Sequence, residues 1–76
     1  MTPTERASAL AVFARYGVAE CRRAMPVDAT EEVFLLSADA LAAVDVDAAT
    51  RALMAVLPHR KVWVVGDSDK WQSEPL

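Results

Sequence analysis

With 76 residues, the chain has room for one domain, near the lower size at which a hydrophobic core holds itself together. The hydrophobic fraction is 54%, but much of it is alanine, and the larger apolar side chains gather in residues 10–13, 33–36, 44–57 and 62–65. A net charge of −3 and an isoelectric point near 4.9 argue against a strongly cationic protein that coats nucleic acid or anionic membrane.

Cys21 is the only cysteine, which excludes an intrachain disulfide and a thiolate metal cluster within one chain and suits a reducing cytoplasm. Glu5, Arg6 and Arg15 interrupt the N-terminal stretch, so it lacks the basic start and unbroken apolar run of a secretory signal. No apolar run approaches the roughly 20 residues that span a bilayer. The expectation is a single cytoplasmic domain over residues 1–76, with no membrane partner and no cofactor.

The first element has a clear start. Thr2 can cap, Pro3 suits the first helical position, and Glu5 completes a capping box. A helix is expected over residues 3–16, with Ala7, Leu10, Phe13 and Ala14 on its inner face, Ser8, Val12 and Arg15 pointing away, and Gly17 as the stop. Residues 18–25, "VAECRRAM", read as a strand with Ala19, Cys21 and Met25 on one face and Glu20 and Arg22 on the other; Arg23 spoils the alternation. A helix there would stack Val18, Cys21, Arg22 and Met25, loosely like a helix-turn-helix around Gly17. The strand is preferred because Pro26 and the polar run after it then make a hairpin connection.

Residues 32–37 and 61–65 are nearly continuous apolar runs, the pattern of strands covered on both faces or paired in parallel. Between them, Ser37 can cap a short turn over residues 38–44, and Asp45 or Asp47 can cap a helix ending at Leu57. That helix has an apolar face of Val46, Ala49, Leu53, Val56 and Leu57, with Ala48, Arg51 and Ala55 opposite. Strand, helix and strand make one βαβ unit with a right-handed crossover. The fold class is therefore α/β (α+β): a small two- or three-layer domain of order α-β-β-α-β with a three-stranded mixed sheet, and residues 72–76 as a mobile tail unless Trp71 anchors it.

Parallel neighbours would bring Ser37 and Asp39 beside Gly66, Asp67, Ser68 and Asp69 at the carboxyl ends of the strands, where open α/β sheets bind ligands. Asp39, Asp67 and Asp69 could together hold Mg²⁺ or Ca²⁺. Helix capping by Ser37 and Asp39 and a turn at Gly66 and Asp67 are what these residue types do more often. The block "VVGDS" resembles the first block of GDSL-type serine hydrolases, whose strand ends in Gly-Asp-Ser with the serine as nucleophile. That family carries an Asp-x-x-His partner far downstream, and no histidine follows Ser68 here. The sole histidine, His59, falls at the opposite end of the same strand, so Ser68 has no base. His59 is expected to help cap the carbonyls of the preceding helix. Cys21 is either a thiol activated by Arg22 and Arg23 or, as preferred, a buried inert residue of an edge strand.

The strand "KVWVV" carries the best functional signal. Val62 and Val64 face one way while Trp63 and Val65 face the other, so both faces ask for cover. If the helices pack on one side, Trp63, Val65 and part of residues 33–36 lie open and imply a partner or a dimer. The function expected is that of a small acidic, non-catalytic protein-interaction domain. It would self-associate or act as an accessory, inhibitor or immunity-like protein, through Trp63, Val65 and Trp71 with Asp67 and Asp69 as a polar rim. A small-molecule or divalent-metal domain at the strand-end crevice is the alternative. Nucleic-acid binding through Arg15, Arg22, Arg23, Arg60 and Lys61 is a third class, which the acidic balance disfavours.

Overall fold

The computed structural model describes residues 1–25 and 28–76. Pro26 and Val27, where the hairpin connection is expected to begin, lie outside the described residues. Helix α1 spans Pro3–Arg15. Its capping box is complete: the Glu5 amide donates to Thr2 Oγ1 at 3.1 Å and the Thr2 amide donates to Glu5 Oε1 at 2.9 Å. The helix ends in a Schellman turn, in which the Val18 amide donates to the Phe13 carbonyl (2.9 Å) and the Gly17 amide to that of Ala14 (3.1 Å). Gly17 takes φ +80°, the left-handed region that favours glycine.

The face that α1 buries matches the expected one only at Phe13. Ala9, Val12 and Phe13 are buried, whereas Leu10 is 39% exposed and Ala7 and Ala14 face solvent. Alanine occurs on several sides of this helix, at Ala7, Ala9, Ala11 and Ala14, so helical periodicity alone does not choose a side. Its two ends do: Glu5 pairs with Arg60 at the start, and Val18 tucks back into the core at the finish. Together these turn Ala9, Val12 and Phe13 inward.

Strands β1 (Arg22–Ala24) and β2 (Glu31–Leu36) follow, then helices α2 (Ala38–Ala43) and α3 (Val46–Val56), strand β3 (Lys61–Gly66) and strand β4 (Ser73–Pro75). Among the described residues the order is thus α-β-β-α-α-β-β, and the mixed sheet has four strands in the order β3-β2-β1-β4. The expected three strands become four because Ser73–Pro75, read above as part of a tail, pairs antiparallel with β1. β1 is therefore an inner strand instead of an edge.

β2 and β3 are parallel neighbours in the register Glu31↔Lys61 to Leu36↔Gly66, as a βαβ unit requires. The crossover holds two helices. Ser37 Oγ accepts the Ala40 amide at 3.2 Å to cap α2, and Asp45 Oδ1 accepts the Ala48 amide at 3.1 Å to cap α3. α3 turns Ala49 and Leu53 inward with Leu57 behind them, and exposes Arg51 and Ala55, as its pattern predicts.

All three helices pack on one face of the sheet. There Phe34, Leu36, Val62 and Val64 meet Ala9, Val12, Phe13, Leu53 and Leu57. Phe13 and Phe34 contact edge-to-face, with centroids 5.3 Å apart at 71°. The other face carries a second small core of Ala24, Val33 and Leu35, with Val65 against it.

No side chain within 4 Å would obstruct a Cβ at Gly17, so Gly17→Ala isolates the backbone term. Urea denaturation should show a loss of about 1 kcal/mol with unchanged m-value. A neutral result would mean that the Schellman turn does not hold α1 in place.

Candidate functional site

The open face of the sheet comes first. β2 and β3 alternate, so Val33, Leu35, Trp63 and Val65 point away from the helices. β3 and β4 lie at opposite edges and both run parallel to β2, so the 67–72 connection has to cross β2 and β1. The helices occupy one face and the connection takes the other. Asp67 continues the ladder by donating to the Leu36 carbonyl (2.8 Å), residues 68–71 make a turn closed by Trp71 N–H to the Ser68 carbonyl (3.2 Å), and the Met25 amide donates to Gln72 (2.7 Å). The turn therefore falls later than Gly66 and Asp67, the residues expected to form it.

This strap accounts for what is buried and what is not. Val33 and Leu35 lie beneath cover, but Trp63 remains 51% exposed and Trp71 41% exposed. Trp63, Trp71, Val65, Val33 and Glu31 line a cleft of about 300 Å³. Three residues predicted as an interaction surface, Trp63, Val65 and Trp71, thus come together. Asp67 and Asp69 are exposed but do not line that cleft. Its acidic member is Glu31, which the sequence reading missed. The available signal was parity, since Glu31 shares the odd-numbered face with Val33 and Leu35.

A second, larger crevice of about 590 Å³ opens at the carboxyl ends of β2 and β3, lined among others by Leu10, Cys21, Arg22, Leu35, Ser37 and Asp67. Ser37 is used as the α2 cap, Asp39 lies exposed in the first turn of α2, and Asp69 stands in the turn of the strap. Neither Asp39 nor Asp69 lines the crevice. Among the described residues, no group of three or more histidine, cysteine, aspartate or glutamate side chains could hold a metal ion. Asp39 in the first turn of α2, Asp67 in the ladder beside Leu36 and Asp69 in the strap form no such group.

Nucleophiles fare no better. Burial pushes the Cys21 thiol up to about 12, so Arg22 and Arg23 do not activate it; both are committed elsewhere. Ser68 Oγ accepts the Lys70 amide at 3.4 Å as part of the turn. His59 is exposed beyond the other end of β3, and no hydrogen bond from it to the end of α3 is found among the described residues. Arg60 instead ties that corner down, donating to the Ala29 carbonyl (3.4 Å) and to Glu5 (3.3 Å).

Two arginines, Arg23 and Arg60, approach one buried acid that sequence reading also missed. Glu32 is 2% exposed and faces the helices with Phe34 and Leu36. Arg23 Nη2 donates to Glu32 Oε1 at 2.7 Å and Arg23 Nη1 to Glu74 at 3.2 Å. Arg60 stands 4.0 Å from Glu32, and Arg6 reaches Glu74 at 3.6 Å. Arg22 donates to the Ser73 hydroxyl (2.8 Å) and carbonyl (3.0 Å). Three of the five cations considered for nucleic-acid contact, Arg22, Arg23 and Arg60, thus bind groups of this chain.

The chain matches no family model, no curated protein and no solved structure. Among the described residues, no helix is long and apolar enough to cross a membrane.

Two outcomes follow from this geometry. Glu32→Ala leaves the largely buried Arg23 with Glu74 as its remaining carboxylate partner and should cost about 3 kcal/mol in urea unfolding, whereas the double change Arg23→Met, Glu32→Leu should recover most of that loss. A double variant as unstable as the single one would refute this account.

The Cys21 thiol ionises near its ordinary 9.0 in the unfolded chain and only near 12 in the fold. Both states are protonated below 9, and above it the unfolded chain gains charge first. Stability should therefore fall as pH rises from 9 towards 12, and Cys21→Ser should flatten that part of the urea-midpoint profile.

Proposed function

We propose that the chain is a small, non-catalytic interaction domain that presents the helix-free face of its sheet, at Trp63, Val65 and Trp71, to a protein surface, its own second copy included. One observation carries this reading: two tryptophans that stay about half exposed line one largely apolar cleft on the helix-free face. Large aromatic side chains left in solvent lose the free energy of burial, and they are the residue type most often found as interface anchors. Glu31 in the cleft and Asp67 and Asp69 further along the strap make an acidic border, which favours a partner that is basic at its rim. Accessory, inhibitor and immunity-like proteins work in this way. Two further observations support a non-catalytic role: Cys21 is held as a neutral thiol, and Ser68 and His59 stand at opposite ends of β3.

The test is solution mass against concentration, together with tryptophan emission. Association over this face should raise the scattering mass above the 8.2 kDa of one chain, shift emission to the blue, and be lost in Trp63→Glu without loss of folded signal. A wild-type chain that stays monomeric at high concentration, copurifies with no partner and keeps solvent-exposed tryptophan emission would overturn the reading.

A further inference from the structure

The two edges of the sheet are not equivalent. β4 is a short edge of Ser73–Pro75, and Pro75 has no amide proton to offer a neighbour. β3 is the longer edge, contains no proline, and has no strand paired to its outer side among the described residues. Parallel pairing with β2 uses the backbone of alternate residues: the Lys61 amide donates to Thr30 and the Asp67 amide to Leu36, both at 2.8 Å. By that alternation the backbone groups of Trp63 and Val65 also turn towards β2, and those of Val62, Val64 and Gly66 turn outward. The 67–72 strap leaves the top of β3 over the sheet, away from this edge.

We infer that the occupant of this edge is β3 of a second copy, paired antiparallel about a two-fold axis through Val64, so that the two sheets become one. This inference shares with the proposed function only its premise that the chain self-associates and goes beyond it: the two sheets join edge to edge, and their open faces lie side by side as one continuous surface. In that register Val64 pairs with its own counterpart and Val62 with Gly66 of the second copy, each through its outward backbone groups. On the open face Trp63 lies opposite Val65 of the second copy, and Lys61 lies opposite Asp67, once on each side of the axis. Both charged side chains are exposed in the single chain.

Neighbouring registers lose this match. An axis at Trp63 sets Lys61 against Val65, and an axis at Val65 sets Trp63 against Asp67. Only the axis at Val64 opposes charge with charge and apolar with apolar at the places where cross-strand side chains meet. The choice of a second copy over an unrelated strand follows from that self-complementarity. The choice of β3 over β4 follows from Pro75. Pairing β3 with β4 of the next copy would run on without closing, whereas β3 with β3 closes as a dimer.

The experiment joins sedimentation equilibrium to amide hydrogen exchange, on the wild type, Lys61→Glu, Asp67→Lys, the double swap of these two, and Trp63→Glu. Edge pairing is expected to give a dimer in which the Val62, Val64 and Gly66 amides exchange slowly. Each charge reversal should weaken it roughly tenfold, and the double swap should restore it. A dimer that ignores both charge reversals, exchanges those amides freely and falls apart in Trp63→Glu would overturn the edge pairing while leaving the interaction reading intact. A wild-type chain that is monomeric throughout would overturn the inference, and the copurification and emission measurements then decide the broader reading separately.

Discussion

The helix-bearing face closes around one buried carboxylate. Glu32 sits in the inner layer beside Phe34 and Leu36, a position where a charge is costly unless it is met. Arg23 meets it from β1. Glu74 then takes the other amino group of Arg23, Arg6 of α1 reaches Glu74, and Arg60, just before β3, lies between Glu32 and Glu5. β1, β2, β4, the first helix and the residue before β3 are tied to this cluster. Its net contribution to stability is small, because desolvation offsets most of the attraction. Its effect is on arrangement. A one-residue slip of β1 against β2 would turn Arg23 out of the layer and leave Glu32 alone, so the ion pair penalises wrong registers more than it rewards the right one.

That constraint explains features that hydropathy leaves unexplained. Arg23 interrupts the alternation of its strand because its side chain belongs on the inner face with a partner waiting there. The weakly patterned α1 is oriented at its start by Glu5, whose carboxylate the Thr2 amide holds below the usual range, with Arg60 adding to the effect. The same arginine anchors the corner between α3 and β3 through the Ala29 carbonyl. Polar contacts here decide which side of an otherwise ambiguous element faces the core.

What could be read from sequence was whatever repeated or capped. The Thr2-Pro3-Glu5 start, the Gly17 stop, the apolar face of α3 and the two parallel strands all follow from local chemistry, and all are present. The α1 face is legible only at Phe13, because alanine satisfies any side equally. β4 was missed because three residues ending in proline carry no strand signature; they become a strand only once β1 offers an edge. At the surface, Trp63 and Val65 were visible through alternation, and Trp71 through its size. Glu31 and Glu32 were not, because adjacent glutamates at the start of an apolar run look like solvent-facing flanks until the register assigns them to opposite faces.

The exposure of Trp63 is finally a matter of handedness. β2 passes to β3 in one lateral direction and β3 passes to β4 in the other, both as parallel crossovers. Parallel crossovers are right-handed in nearly all proteins, so two that move in opposite directions have to use opposite faces. Helices take the first, and the 67–72 strap is obliged to take the second, which is why Trp71 lines a cleft with Val33 and Trp63 on the open face. A strap this short covers the inner strands β2 and β1 on its way and leaves the edge from which it departs. β2 is therefore buried on both faces, as its unbroken apolar run requires, and β3, with an apolar run of the same length, is fully buried on one. Topology, not hydropathy, leaves the tryptophan of β3 half open.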